Sequence, residues 1–334
     1  MGKFSMTSKL IDAFGREHTD LRVSLTDKCN LRCTYCMPAE GVEWLPSQHI
    51  LTSDEITKII SILCELGIKE VRLTGGEPLL RPDILEIVNS ISKIENAPEI
   101  SLTTNGIRLA PIAKDLVKAG LKRINISLDT LQPERFKLLS RRDGLEDVLK
   151  GVDAAIDAGL KPIKINSVLM SGINDDEAVE LVHWAMSLNL QLRFIEQMPL
   201  DAQHSWSRKS MITANQIKEK LSEKYVLKQL GDRGSDPAEL FEIVGTNQTV
   251  GIIASVTKPF CSACDRLRLT ADGQLRNCLF SLEESDLRTS LRQNRSKEEL
   301  TLQIQACVKA KKTGHGIGEP TFVQPPRPMS AIGG

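Results

Sequence analysis

The sequence predicts an α/β protein, a partial (βα)6 TIM-type barrel with a C-terminal extension. Three observations predict it. From about residue 20 to 200, short β-type runs alternate with amphipathic helical stretches. These runs number six, short of the eight of a complete barrel. Within each run apolar residues alternate with polar ones. Repeated βα units imply a parallel sheet. Strands covered by helices on both faces are apolar nearly throughout, and a filled barrel carries Val, Ile and Leu inside. A polar face therefore reads as the wall of a ligand-filled lumen. The bland alternative is a sheet with one side open to solvent.

The β-runs are LRVSLT (21–26), KEVRLT (69–74), EISLTT (99–104), RINISLD (123–129), IKINSV (163–168) and QLRFIE (191–196). Leu21, Val23 and Leu25 alternate with Arg22, Ser24 and Thr26, and Ile124, Ile126 and Leu128 with Asn125, Ser127 and Asp129. Ile56, Ile59, Ile60 and Leu63 recur at helical spacing, behind a capping-box signature of Thr52 and Glu55. The polar faces carry Arg22, Arg72, Lys164 and Arg193 but one carboxylate, Asp129. Four converging cations in a cavity need an anion, and a phosphate-bearing ligand is the natural one.

Beyond residue 200 the rhythm weakens. Loop-like stretches at 201–210 and 231–239 precede β-type runs (FEIVG, TVGIIASV, RLRLT), two helical patterns near 283–309 and a Gly/Pro-rich tail. We read a barrel core over 14–230 and an extension over 231–334, not a second independent domain.

The 334 residues are 41% hydrophobic and 26% charged, enough for a real core. Lys+Arg and Asp+Glu both count 43, so the net charge of zero argues against bulk binding to nucleic acid or a membrane surface. No apolar run approaches the roughly 18 residues of a spanning helix, and the first residues lack a secretory core. A cytoplasmic protein is expected.

Six of the eight cysteines fall in two groups. In a reducing compartment such grouping reads as metal or cluster ligation. Cys29, Cys33 and Cys36 form CxxxCxxC on the loop after the first β-run. Three thiolates can hold three irons of a [4Fe–4S] cluster and leave the fourth open. Zinc prefers four protein ligands and commoner spacings. Cys261, Cys264 and Cys278 form the second group, for which spacing alone leaves two readings: another open cluster, or structural zinc completed by Cys307 or His315.

CxxxCxxC with Tyr35 before its last cysteine, followed by Gly75-Gly76-Glu77-Pro78 after the second run, resembles the radical S-adenosylmethionine (SAM) superfamily. With Arg22, TTNG (103–106), NISLD (125–129), RFIE (193–196), CSACDRLRLTADG (261–273) and the Gly333-Gly334 end, the chain from about Phe14 to Gly334 resembles its GTP 3′,8-cyclase family.

The resemblance implies a lyase with two [4Fe–4S] clusters and SAM, opening molybdenum cofactor biosynthesis. A 5′-deoxyadenosyl radical would take hydrogen from C3′ of GTP, giving (8S)-3′,8-cyclo-7,8-dihydroguanosine 5′-triphosphate. Cys29, Cys33 and Cys36 would hold the SAM cluster, and Cys261, Cys264 and Cys278 a second cluster that meets the guanine. Tyr35, Gly76, Ser127 and Met198 match SAM contacts. Arg22, Arg72, Thr103, Lys164, Arg193, Arg266 and Arg268 match the GTP site, with Arg22, Arg266 and Arg268 closest to the chemistry. Also implied are an unidentified electron donor, cyclic pyranopterin monophosphate synthase as the next enzyme, a tail reaching the pocket, and, as is common in the family, a homodimer. A radical SAM peptide-modifying enzyme is the alternative, but it would not need so many lumen cations. A non-enzymatic cluster or zinc module would leave GGEP without a purpose.

Some residues take plainer readings. Cys64 and Cys307 read as helix packing, and His18 as solvated. Glu70 departs from a family position that is often Lys; we expect it to point away with the apolar face.

Overall fold

The computed structural model describes residues 9–333. Six parallel strands appear in sequence order: β1 (Asp20–Ser24), β2 (Glu70–Thr74), β3 (Glu99–Thr104), β4 (Arg123–Ser127), β5 (Ile163–Val168) and β6 (Gln191–Ile195). The crossovers carry α1 (Ser53–Glu65), α2 (Ile84–Ser92), α3 (Ala113–Ala119), α4 (Pro133–Ser140), α5 (Leu145–Asp157) and α6 (Ala178–Ser187).

The apolar half of each strand packs under these helices. Leu21, Val23, Val71, Leu73, Ile124, Ile126 and Ile165 are fully buried, against Ile56, Ile59, Ile60 and Leu63 of α1 and their counterparts on the other helices. Each such side chain contributes roughly 1.5–3 kcal/mol on burial. The capping box at α1 forms as the sequence indicates: Glu55 N donates to Thr52 Oγ1 at 3.2 Å and Thr52 N donates to Glu55 Oε2 at 2.9 Å.

After α7 (Ala214–Ser222) the chain adds strands to both edges of this sheet. Beside β6 lies β9 (Thr249–Ile253), parallel to it, then the antiparallel β8 (Glu239–Ile243) and β7 (Leu227–Gln229). Beside β1 lies β10 (Arg266–Leu269), parallel, then the antiparallel β11 (Gln274–Arg276) and β12 (Ser285–Asp286). Among the described residues the result is one sheet of twelve strands, which the C-terminal segment extends at both edges. Helices α8 (Leu287–Arg292), α9 (Lys297–Lys309) and α10 (Met329–Ile332) complete the chain. Cys64 and Cys307 lie in the core. Among the described residues no helix is long and apolar enough to cross a membrane.

Candidate active site

The polar half of each strand faces a cavity of ≈ 520 Å³. All the residues singled out above as ligands or contacts line it: both cysteine groups, Tyr35, Gly76, Ser127 and Met198, and Arg22, Arg72, Thr103, Lys164, Arg193, Arg266 and Arg268.

The strand directions separate the two cysteine groups. Cys29 follows the carboxyl end of β1, whereas Cys264 precedes the amino end of β10, which runs parallel beside β1. β11 returns antiparallel, bringing Cys278 back toward Cys264. Two trios of thiols thus sit at opposite ends of the strands, with the basic residues between them.

At the first trio, the GGEP turn is packed beneath the cysteine loop. Gly76 N donates to Thr26 O and Glu77 N to Lys28 O, both at 2.7 Å. A Cβ on Gly76 would stand 2.4 Å from the carbonyl oxygens of Asp27 and Lys28, so only glycine fits. Glu77 is buried and accepts from Leu79 N, Thr104 Oγ1 and Asn105 N at 3.0, 2.7 and 2.7 Å, tying the turns after β2 and β3 together. Asn105 Nδ2 in turn donates to Asn30 Oδ1 at 2.8 Å. Burial pushes the Cys29 thiol up to about 11 and Cys36 to about 12, and raises Cys33 as well. Bound iron favours the thiolates that this burial opposes. Tyr35 Oη donates to Asp129 Oδ2 at 2.6 Å, and burial lifts the Asp129 carboxyl to about 6.

At the second trio, burial opposes ionisation of Cys264, but the Lys311 and Arg266 charges outweigh it and hold its thiol below the usual range. Burial raises Cys261. Both candidate fourth zinc ligands are occupied elsewhere. His315 Nε2 lies 3.1 Å from Ser255 O and its Nδ1 accepts from Ile317 N at 3.2 Å; the Cys307 sulfur donates to Leu275 O at 3.7 Å. Among the described residues no three His, Cys, Asp or Glu side chains are grouped to grip a single ion.

Between the trios the charge is mostly positive. Burial, together with the charges of Arg193, Arg72 and Arg123, brings Lys164 down to about 8. Burial, against the pull of Asp20, brings Arg22 to about 9. Arg22 Nε, Arg72 Nε and Nη1, Thr103 Oγ1, Asn166 Oδ1 and Arg266 Nη1 are buried without a hydrogen-bond partner. Buried polar atoms are normally satisfied; the guanidinium donors and the Thr103 hydroxyl suit a polyanionic ligand, whereas the Asn166 carbonyl oxygen needs a donor.

The sequence reading missed several carboxylates here. Asp20 shares the polar face of β1 with Arg22 and pairs with Arg266 Nε at 3.2 Å. Asp236 and Asp265 also line the cavity. Glu70 does not point away with the apolar face. It is two residues from Arg72 on β2, lines the cavity and pairs with Arg123 Nη2 at 2.8 Å, while Arg123 also pairs with Glu99. Strand parity was the signal that places it there. His18 is buried, not solvated, with Nε2 3.1 Å from Asp12 Oδ2; burial lowers it to about 4. At the tail, the Gly333 carbonyl accepts from Arg268 Nη1, and Met329 and Ser330 line the cavity. Gly334 lies outside the described residues.

A parallel βα sheet with three thiols after its first strand and a glycine turn locked under them is the arrangement of radical SAM proteins. Residues 23–185 match the Radical SAM superfamily model, and residues 190–317 match Molybdenum Cofactor Synthesis C. The GTP 3′,8-cyclase of Streptomyces coelicolor is 57% identical over 97% of this chain and 96% of its own. That of Mycolicibacterium smegmatis is 53% identical over 97% and 92%. The crystal structure of Streptococcus suis SuiB superposes with a TM-score of 0.60 at 13% identity, covering 91% of this chain and 69% of that one, a likeness of fold alone. The chain belongs to the GTP 3′,8-cyclase family of the radical SAM superfamily.

Proposed function

We propose that the chain is a GTP 3′,8-cyclase, a SAM-dependent radical lyase performing the first step of molybdenum cofactor biosynthesis. The observation that carries this is the cavity itself: two trios of thiols at opposite ends, with guanidinium and ammonium groups converging between them. The sheet with its polar concave face is read as a partial (βα)6 barrel, 14–230, and the segment 231–334 as the part that brings the second trio.

Cys29, Cys33 and Cys36 would hold one [4Fe–4S] cluster and Cys261, Cys264 and Cys278 the other. With SAM, the first cluster supplies one-electron cleavage and hence a carbon radical for hydrogen abstraction. The chain's own residues bind, orient and exclude water. Tyr35, Gly76, Ser127 and Met198 border the first trio's end and are assigned to SAM. Arg72, Lys164, Arg193 and Thr103 are assigned to the triphosphate, whose charge neutralises cations that burial leaves costly. Arg22, Arg266 and Arg268 lie toward the second trio and are assigned to the nucleoside end of GTP. Phosphate oxygens satisfy guanidinium donors two at a time, which fixes the ribose relative to the SAM end. An external electron donor is required, and the downstream synthase would take the product.

Two cysteine variants test the assignment. Cys36→Ala is expected to abolish 5′-deoxyadenosine formation. Cys278→Ser is expected to lose iron and the cyclic product while SAM still binds at the first cluster. Unchanged GTP cyclisation by Cys278→Ser would overturn it.

A further inference from the structure

Lys311 follows α9 and is 4% exposed, which is rare for lysine. Its Nζ donates to Arg266 O at 2.7 Å and to Cys264 Sγ at 3.5 Å. These partners are a carbonyl and a sulfur, not a carboxylate. A buried ammonium needs negative charge nearby, which Cys261, Cys264 and Cys278 would supply as thiolate ligands of the second cluster.

The position of this ammonium is preset by a clamp from the other end of the chain. Arg16 Nη2 donates to Lys312 O at 2.6 Å, and its Nη1 donates to Thr313 O at 3.0 Å and to Cys261 O at 2.6 Å. One guanidinium therefore ties the segment bearing Lys311 to the segment bearing Cys261. Arg16 is itself held by the buried Asp12, Nε to Oδ2 at 2.6 Å, and Asp12 is flanked by His18. The backbone next to Lys311 is thus fixed at the trio, and the ammonium itself is held there by its bonds to Arg266 O and Cys264 Sγ.

We propose that Lys311 is a positioning residue for the cluster assigned to Cys261, Cys264 and Cys278: its N–H···S contact and buried charge favour the reduced cluster and secure it in the chain. The inference rests on the proposed second cluster. Hydrogen bonds to ligand sulfur and nearby charge are the levers by which a protein sets a cluster potential. Reduction adds one negative charge, so a fixed cation beside the sulfur stabilises the reduced form more than the oxidised one.

The test uses the full-length chain with Cys29, Cys33 and Cys36 replaced by Ala, so that only the second cluster titrates. Lys311→Met keeps most of the stem and removes the charge; Lys311→Arg keeps the charge and the donor. Potentials are read by redox titration with paramagnetic resonance, and iron retention by chelator challenge. In Lys311→Met the reduced-to-oxidised ratio at a given potential is expected to fall about tenfold, a shift of about 59 mV downward for one electron. Lys311→Arg should restore most of it. Loss of iron by Lys311→Met, with circular dichroism unchanged and iron kept by Lys311→Arg, also supports the role. An unchanged potential with full iron overturns it. Absence of a cluster in the parent itself overturns the second-cluster reading, and the inference with it.

Discussion

Arg22 on β1 and Arg268 on β10 are lateral neighbours in a parallel pairing, and both face the same cavity. Burial and then the charge of Arg22 push Arg268 well below the usual arginine range. Asp20 and Arg266 form the next pair on the same face of these two strands, and Asp20 is a nearby counter-charge. Between the trios, Arg22, Arg72, Arg123, Lys164, Arg193, Arg266 and Arg268 face only Asp20, Glu70, Asp236 and Asp265, and a polyanion relieves that local excess of positive charge.

Removing one of these guanidinium groups separates binding from folding. Arg22→Ala is expected to lower kcat/KM for GTP by about tenfold to a hundredfold, since a hydrogen bond to a charged group contributes roughly 1.5–3 kcal/mol. The ligand-free melting temperature should hold or rise, because a like charge has left the cavity. Steady-state kinetics and thermal melts with and without GTP check this. An unchanged KM and kcat would contradict the placement of the nucleotide.

The pH dependence follows from Lys164. Its folded value of about 8 lies below the ordinary lysine value of 10.5. Between these two values the unfolded chain binds more protons than the folded one, so the ligand-free fold gains stability as pH rises through that window. GTP binding has the opposite sign, because it needs the ammonium. Affinity is expected to weaken as pH climbs past about 8, with proton uptake on binding there. Lys164→Arg should move that limb to higher pH. Calorimetric titration in buffers of different ionisation enthalpy measures both effects, and a flat affinity from pH 7 to 9.5 would contradict the role.

Glu70 gives the third prediction. Its pair with Arg123 is half-exposed at the carboxylate, the kind of pair that contributes about 0–1 kcal/mol. Glu70→Gln should leave the fold intact, remove negative charge from the cavity wall and leave Arg123 with one carboxylate partner, Glu99, instead of two. GTP affinity is expected to rise about threefold to tenfold. Weaker binding in Glu70→Gln would mean that the carboxylate organises the site instead of opposing the ligand.

How much of this was legible follows from the range of the forces involved. The six parallel strands could be read because alternation is local, and the same parity placed Arg22, Arg72, Lys164 and Arg193 on one wall. It placed Glu70 there too, and a family habit at that position hid what the strand period indicated. The two cysteine groups that line the cavity stood out by their spacing. Lys311 could not, since it lies 47 residues from Cys264 and nothing local marks a lysine as buried. His18 is buried through Asp12 and the Arg16 clamp, contacts that arise only when the chain end meets residues 312–313. The extension of the sheet at both edges was equally hidden, because β10 pairs with a strand almost 250 residues earlier. Even the glycines of GGEP served a second end: Gly75 lets the turn lie against the Thr26 backbone and Gly76 against that of Asp27 and Lys28.

The central claim is that this cavity joins C3′ and C8 of GTP by radical chemistry. Its most direct test is an anaerobic reaction of the protein, loaded with both clusters, with SAM, a strong reductant and GTP, followed by chromatography and mass spectrometry. Ring closure conserves mass, so the account predicts 5′-deoxyadenosine together with a nucleotide isobaric with GTP but differently retained, the nucleotide requiring GTP. Formation of 5′-deoxyadenosine without that nucleotide, from protein shown to hold both clusters, would contradict it.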